Sequence, residues 1–201
     1  MNIEKTIESL EANGYKVNFF PTGDEAVNYL EDTIESKTIG FGGSRTLTDL
    51  NLLEALSKKN IILAPDFPNE GETNESTKMK SLDTEYYFLS ANALTENGEI
   101  VNLDCTGNRL AGSLFGHKKV FYIIGTNKIE ENLEKAIWRV RNIASPKNAM
   151  RFGVNTPCAK KGDHCYDCKS PQRICCSLLI HYLKPCGTEA EVLLIDEELG
   201  F

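Results

Sequence analysis

Cys158, Cys165, Cys168, Cys175 and Cys176 fall within nineteen residues and account for five of the chain's seven cysteines. Their spacing is Cys-x6-Cys-x2-Cys-x6-Cys-Cys, with His164 inside the run and His181 and Cys186 beyond it. Thiolates are soft metal ligands, and Cys165-x-x-Cys168 has the spacing of a chelating pair. Cys158, Cys165, Cys168 and Cys175 are therefore candidate ligands, with Cys176 as a substitute for the fourth. The outer ligands stand farther from the central pair than in the common zinc motifs or in ferredoxins. Zinc is the leading candidate and an iron–sulfur cluster the alternative. Disulfides or free thiols are the competing reading, in which Cys175-Cys176 and Cys165-x-x-Cys168 would serve a thiol redox sensor.

Charge is unevenly placed around this run. Nine Lys or Arg between Arg139 and Lys184 face only Asp163 and Asp167, a local balance of +7 in a chain of net charge -7, so the remainder carries -14. A cluster of thiolates around a metal would draw such cations, although a solvated basic surface has the same composition. The overall acidity argues against a nucleic-acid binder. The start of the chain has no basic segment followed by an apolar one, and no apolar run reaches bilayer-spanning length, which predicts a cytoplasmic protein with no membrane partner. With 201 residues, 41% of them hydrophobic, a single domain can bury a sizeable core.

Three further stretches have the form of ligand-binding turns. Gly40-Phe41-Gly42-Gly43-Ser44-Arg45-Thr46 follows a strand pattern and opens a helical one. Asp104-Cys105-Thr106-Gly107-Asn108-Arg109 does the same after a hairpin, and Gly125-Thr126-Asn127-Lys128 follows the apolar strand Val120 to Ile124. Glycine turns at strand ends expose backbone N–H groups to anions. An arginine in a helix's first turn opposes the helix dipole, which an anion or a nearby carboxylate would explain. Gly42, Gly43, Ser44, Asn108, Arg109, Asn127 and Lys128 are the candidate ligand-binding residues. Neither the dinucleotide fingerprint nor the phosphate loop is matched, and no NAD or PLP signature is present. Glu96 and Asp104 are the nearest candidates for acid or base work; no Ser/His/Asp arrangement is visible. His117, beside Lys118 and Lys119, is expected at the surface, and Trp138 is expected to pack.

The elements that must position these residues alternate. Ile3, Ile7 and Leu10 form a helical stripe ended by Gly14, and Tyr15, Val17 and Phe19 alternate as a strand. Thr22 and Glu25 make a capping-box pattern before a helix bearing Ala26, Val27, Leu30 and Ile34. The strand Thr38 to Phe41, a helix carrying Leu47, Leu50, Leu53 and Leu56, and the strand Ile61 to Ala64 follow. Pro65 to Ser76 reads as a mobile loop. Tyr86 to Leu94 and Ile100 to Leu103 flank Asn97-Gly98 as a hairpin. Gly107 to Phe115 reads as a helix, and a long helix starts at Ile129 and is stopped by Ser145-Pro146. Ser177 to Leu183 and Glu191 to Ile195 read as closing strands. This rhythm predicts an α/β fold with a mostly parallel sheet and helices on both faces.

Gly40-Phe41-Gly42-Gly43-Ser44, Gly107-Asn108-Arg109, Gly125-Thr126-Asn127-Lys128 and the segment from Thr156-Pro157-Cys158 to Arg173-Ile174-Cys175 together resemble the LUD-domain family over nearly the whole chain. The resemblance implies one domain over residues 1–201, with residues 151–186 a cysteine-rich segment packed on it. The implied fold is that of ribose-5-phosphate isomerase, CoA transferases and 5-formyltetrahydrofolate cyclo-ligase. It also implies a role in using lactate or related organic acids, with a small anionic metabolite, nucleotide or acyl carrier as ligand. Iron–sulfur proteins of lactate oxidation are the implied partners, and a non-catalytic subunit docking on such an oxidoreductase is the alternative role. No catalytic residue carries over. Cys105 and Cys176 stand where relatives are expected to have Gly and Asn.

Overall fold

The computed structural model describes residues 1–201. Asn2 caps α1 (Ile3–Ala12) by accepting from the Lys5 amide, and the chain turns through Gly14, φ +90°, into β1 (Lys16–Phe20). Thr22 caps α2 (Gly23–Thr33) by accepting from the Glu25 amide, which starts the helix where Ala26 and Leu30 can be buried. β2 (Thr38–Phe41) follows. The leucine-bearing stretch after it forms two helices, α3 (Arg45–Asp49) and α4 (Leu52–Ser57), where the sequence predicts one. Asn51 between them is left-handed, φ +50°, a conformation that interrupts a right-handed helix and that asparagine tolerates better than most residues.

β3 (Ile61–Leu63) leads into the stretch expected to be loop, whose end is instead the start of α5 (Asn74–Ser81). Thr73 and Ser76 exchange hydrogen bonds there as a capping box. Serine stands in for the usual glutamate, which weakens the signal in the sequence. β4 (Tyr86–Leu89) ends at Ser90, so the apolar run to Leu94 divides between two sheets. Its second half is β5 (Ala93–Thr95), paired antiparallel with β6 (Ile100–Asp104) across the turn at Gly98. Next come α6 (Asn108–Leu114), β7 (Lys119–Gly125), a 3-10 turn over Thr126–Lys128, and β8 (Ile129–Glu130).

Ile129 thus begins a short strand, and the helix starts later, as α7 (Leu133–Arg139) capped by Asn132. Ser145-Pro146 does not stop it. The helical path widens to a π turn over Val140–Ala144 and resumes as α8 (Ser145–Arg151), with Pro146 in the first turn, where its missing N–H costs little. Trp138, expected to pack, is 58% exposed. The short α9 (Pro157–Lys161) is followed by residues 163–176 without helix or strand, then by β9 (Ser177–His181) and β10 (Glu189–Ile195).

Six strands form one parallel sheet in the order β1-β10-β7-β4-β2-β3, and a second sheet has the order β8-β5-β6-β9. The last strand in sequence, β10, therefore fills the place between β1 and β7. Alternation along the central strands sends Ile39, Phe41, Phe88, Phe121, Ile123, Leu193 and Ile195 to the face covered by α2, α3 and α4. Tyr87, Leu89, Val120, Tyr122, Ile124, Val192 and Leu194 face the other way, toward Leu10 and Tyr15. Phe41, Phe88 and Phe121 are in register on adjacent strands and stack at 5.6 and 4.5 Å between centroids. Each such ring contributes roughly 1.5–3 kcal/mol by burial, with a further increment from stacking. His117 is buried, against expectation: its ring stacks on Tyr87 at 4.7 Å and Nδ1 donates to the Thr84 carbonyl at 2.7 Å. No helix is long and apolar enough to cross a membrane.

Candidate functional site

Because the six strands run parallel, the carboxyl ends of β2, β4 and β7 open along one edge of the sheet, where α/β folds place their ligand crevices. Besides a cavity of about 150 Å³ that has Gly42, Gly43 and Ser44 but no cation in its wall, two adjoining cationic cavities lie there. One, of about 280 Å³, includes Gly43, Asp66, Asp104, Cys105, Asn108, Arg109 and Arg151 in its wall. The other, of about 30 Å³, is lined by Gly43, Ser44, Thr46, Ser90, Arg109, Lys128 and Arg151 among others. Gly43, Asn92, Arg109, Ala144, Asn148 and Arg151 border both.

Arg109 is the hinge of this arrangement. Its guanidinium donates from Nη2 to the Leu103 carbonyl at 2.7 Å and pairs with Asp104 at 3.3 Å. Asp104 also accepts from the backbone N–H of Cys105 at 2.9 Å and of Arg109 at 3.2 Å. The nearby carboxylate is thus the reason a cation tolerates the first turn of α6. These donors occupy Asp104 with orienting Arg109. Gly42 permits the approach from the other side: a Cβ there would lie 2.8 Å from Arg109 Cγ and 3.1 Å from the Tyr87 hydroxyl oxygen.

Lys128 sits at the floor. It is 3% exposed, and Nζ donates to Thr46 Oγ1 at 2.7 Å and Ser90 Oγ at 2.9 Å. Both partners are hydroxyls. Burial first, then the charges of Arg139 and Arg109, push its pKa down to about 7, against a smaller opposing pull from Asp49. Arg151, from α8, donates to the Asn148 side-chain amide oxygen at 2.9 Å and lies over the Phe152 ring. Its pKa is also lowered, by burial foremost, with Arg45 and Arg109 adding to the effect and Asp66 opposing it. Arg139 is held beneath by the carbonyls of Asn92 at 2.7 Å, Asn127 at 3.1 Å and Phe201 at 3.2 Å. The cleft therefore gathers more cations than its aspartates neutralise.

Of the residues expected from sequence, Gly43, Ser44, Asn108, Arg109 and Lys128 line one cavity or the other, and Gly42 stands behind Arg109. Asn127 is not in either wall; its Oδ1 accepts from the Leu199 amide and anchors the C-terminal segment. Glu96 lies outside both cavities, accepting from the Asn2 amide at 2.8 Å and pairing with the N-terminal amine and Lys5. Sequence reasoning missed Arg151 and Ser90, and had Thr46 only as a member of the Gly40–Thr46 turn. Arg151 belongs to the basic island read there as a setting for the cysteines. Ser90 was visible as the one aliphatic hydroxyl in the run Tyr86 to Leu94.

The cysteine run is held by arginines. Arg173 donates from Nε to Cys175 Sγ at 3.1 Å and from Nη1 to the Cys168 carbonyl at 2.9 Å. Arg141 reaches Cys165 Sγ at 3.8 Å and Asp167 at 2.8 Å, while Cys158 Sγ meets Thr156 Oγ1 at 3.3 Å. No group of three or more His, Cys, Asp or Glu side chains is arranged to hold a metal ion. All seven cysteines are free thiols.

Fold and cleft together define an open parallel α/β domain with a cationic pocket at its strand ends. The chain belongs to the LUD-domain family, whose pattern it matches over residues 3–195. It is similar to the crystal structure of a DUF162 family protein from Deinococcus radiodurans, with a TM-score of 0.54 and 12% identity, covering 96% of this chain and 95% of that one. That likeness concerns the fold. No curated protein matches the sequence. Family membership supports a general association with lactate utilisation.

Proposed function

We propose that the chain binds a small organic anion of lactate or related organic-acid metabolism in the cleft at the ends of β2, β4 and β7. The observation that carries this reading is the convergence of Lys128 and Arg151, whose hydrogen-bond partners are hydroxyls and an amide, on one concave surface with Arg109. Neither residue is paired with a carboxylate, and a bound carboxylate would supply that counter-charge. The cavity of about 280 Å³ sits at the small end of ligand pockets, favouring a small metabolite over a whole nucleotide or acyl carrier.

Calorimetric titration with lactate, pyruvate, nucleotides, folates and CoA tests this. Lactate or pyruvate should bind, and Arg151→Ala should weaken binding by about tenfold or more, the usual scale for one charge-assisted contact. Unchanged affinity in both Arg151→Ala and Lys128→Met would refute the site.

A further inference from the structure

We infer that Lys128 is a nucleophilic amine that condenses with the carbonyl of a small 2-oxo carboxylate to form an imine. The inference rests on the anion-binding reading above and adds a substrate class and a reaction to it. Three observations carry it.

The first is the hydrogen bonding at Nζ. A lysine ammonium has three N–H donors. Here two acceptors are supplied, Thr46 Oγ1 at 2.7 Å and Ser90 Oγ at 2.9 Å. The hydroxyls are themselves linked, Ser90 Oγ lying 3.3 Å from Thr46 Oγ1, which in turn donates to the Leu199 carbonyl at 3.4 Å. The pair of acceptors matches the two N–H bonds of a neutral amine and leaves its lone pair uncommitted.

The second is the size of the space Nζ faces. The space is small, about 30 Å³, and Lys128, Arg109 and Arg151 share its wall. A substrate whose carboxylate meets these arginines can bring a carbonyl to Nζ only if the two groups are neighbours. A 2-oxo acid meets that requirement most compactly, with the remainder of the molecule in the larger cavity, whose wall also includes Arg109 and Arg151.

The third is the field. Lysines become nucleophiles when desolvated beside other cations. Arg139 and Arg109 face Lys128 and act in that direction together with burial, against Asp49, so that the amine is a major species at neutral pH.

In the step itself, the lone pair of Nζ forms the bond to the carbonyl carbon as the carbonyl π pair moves to oxygen. A proton passes from nitrogen to that oxygen, and with one proton from solvent the carbinolamine expels water, leaving a protonated imine. Nothing is oxidised or reduced. Thr46 and Ser90 lie within reach of Nζ to relay the protons.

The test is reductive trapping of the full-length protein with pyruvate and cyanoborohydride near pH 7, followed by peptide mapping, with calorimetry of pyruvate and lactate alongside. The expected result is an adduct at Lys128 forming on the order of a hundredfold faster than at surface lysines, whose amine fraction is far smaller at this pH. Lactate, which has the carboxylate but no carbonyl, should protect Lys128, and Lys128→Arg should lose the adduct. Binding of pyruvate with no preferential adduct at Lys128 would overturn the imine and leave the anion site intact. Absence of binding by both acids would overturn the two together.

Discussion

Cys105 and Cys176 stand side by side where β6 meets β9. Asp104 pairs with Ser177 in the antiparallel ladder, and the Cys176 amide donates to the Asp104 carbonyl at 3.0 Å. Both sulfurs approach the Arg173 carbonyl, at 4.0 Å from Cys105 and 3.4 Å from Cys176. Cross-strand neighbours of this kind have the Cα separation a disulfide needs, whereas adjacent cysteines such as Cys175 and Cys176 do not bridge without distortion.

Mild oxidation with oxidised glutathione should therefore link Cys105 to Cys176, two thiols giving one disulfide while the glutathione disulfide is reduced to thiol. Mass mapping of an unreduced digest would identify the pair. Because Cys105 borders the larger cavity, the crosslink should also alter anion affinity. Recovery of a Cys175–Cys176 bridge as the main product would contradict this geometry.

Lys128 should lower stability in a pH-dependent way. Its folded pKa, about 7, lies below the ordinary value of 10.5, so between these limits the unfolded chain holds a proton that the folded chain has released. Stability from this group is least below about pH 7 and rises toward pH 10.5. Lys128→Met should thus raise Tm at pH 7 and below, with a gain that shrinks as pH rises, while abolishing anion binding. Thermal melts across that range check the sign.

Gly42→Ala should keep the fold and damage the site. The new methyl would meet Arg109 Cγ at 2.8 Å, forcing the side chain off Asp104 and the Leu103 carbonyl. Overpacking of this kind costs about 1–3 kcal/mol. Anion affinity should fall while circular dichroism stays native.

Glu191 should govern stability in acid. Its side chain is fully buried in the sheet, 2.6 Å from Lys119 and 3.2 Å from Lys16, and accepts from the Tyr29 hydroxyl at 2.7 Å. Burial alone would raise its pKa, but the hydrogen bonds and charge of Lys119, with those of Tyr29 and Lys16, together hold it lowered. Its contribution is full above the ordinary carboxylate value of 4.5 and is lost as pH falls through the lowered one. Glu191→Ala should cost about 1.5–3 kcal/mol in urea denaturation at pH 7, the scale for losing charge-assisted hydrogen bonds, since Lys16 and Lys119 keep access to solvent when left without it.

A metal centre at Cys158, Cys165, Cys168 and Cys175 needs thiolates, and the charge and hydrogen bond of Arg173 favour the thiolate of Cys175 against burial. Arg173→Ala should then take up zinc more weakly than the wild type, measured by competition with a chromophoric chelator under anaerobic conditions. Equal lack of uptake by both proteins would remove the run as a metal site.

The alternation of helices and strands, the caps at Thr22 and the glycine turns were legible in the sequence because each depends on residues close in the chain. Apolar residues two apart make a strand face, and a threonine three residues before a glutamate makes a helix start, whatever surrounds them. Where local rules failed, a neighbour in space had intervened or a backbone angle had broken the period. Ile129 joined β5 as a strand, Asn51 split a helix, and a π turn let Pro146 through. The site was half legible for the same reason. Strand-end turns announced Gly43, Arg109 and Lys128, but Arg151 comes from a helix more than twenty residues farther on, within a charge island that composition alone attached to the cysteines. Only the packing of α8 against the π turn and α9 turned that charge toward the cleft, and only the β6–β9 register set Cys176 against Cys105. Sequence determined which short segments form and what chemistry each carries. Tertiary structure decided which of those groups share a dielectric, a cavity or a hydrogen bond, since these interactions fall off over a few ångströms and are set by distance in space.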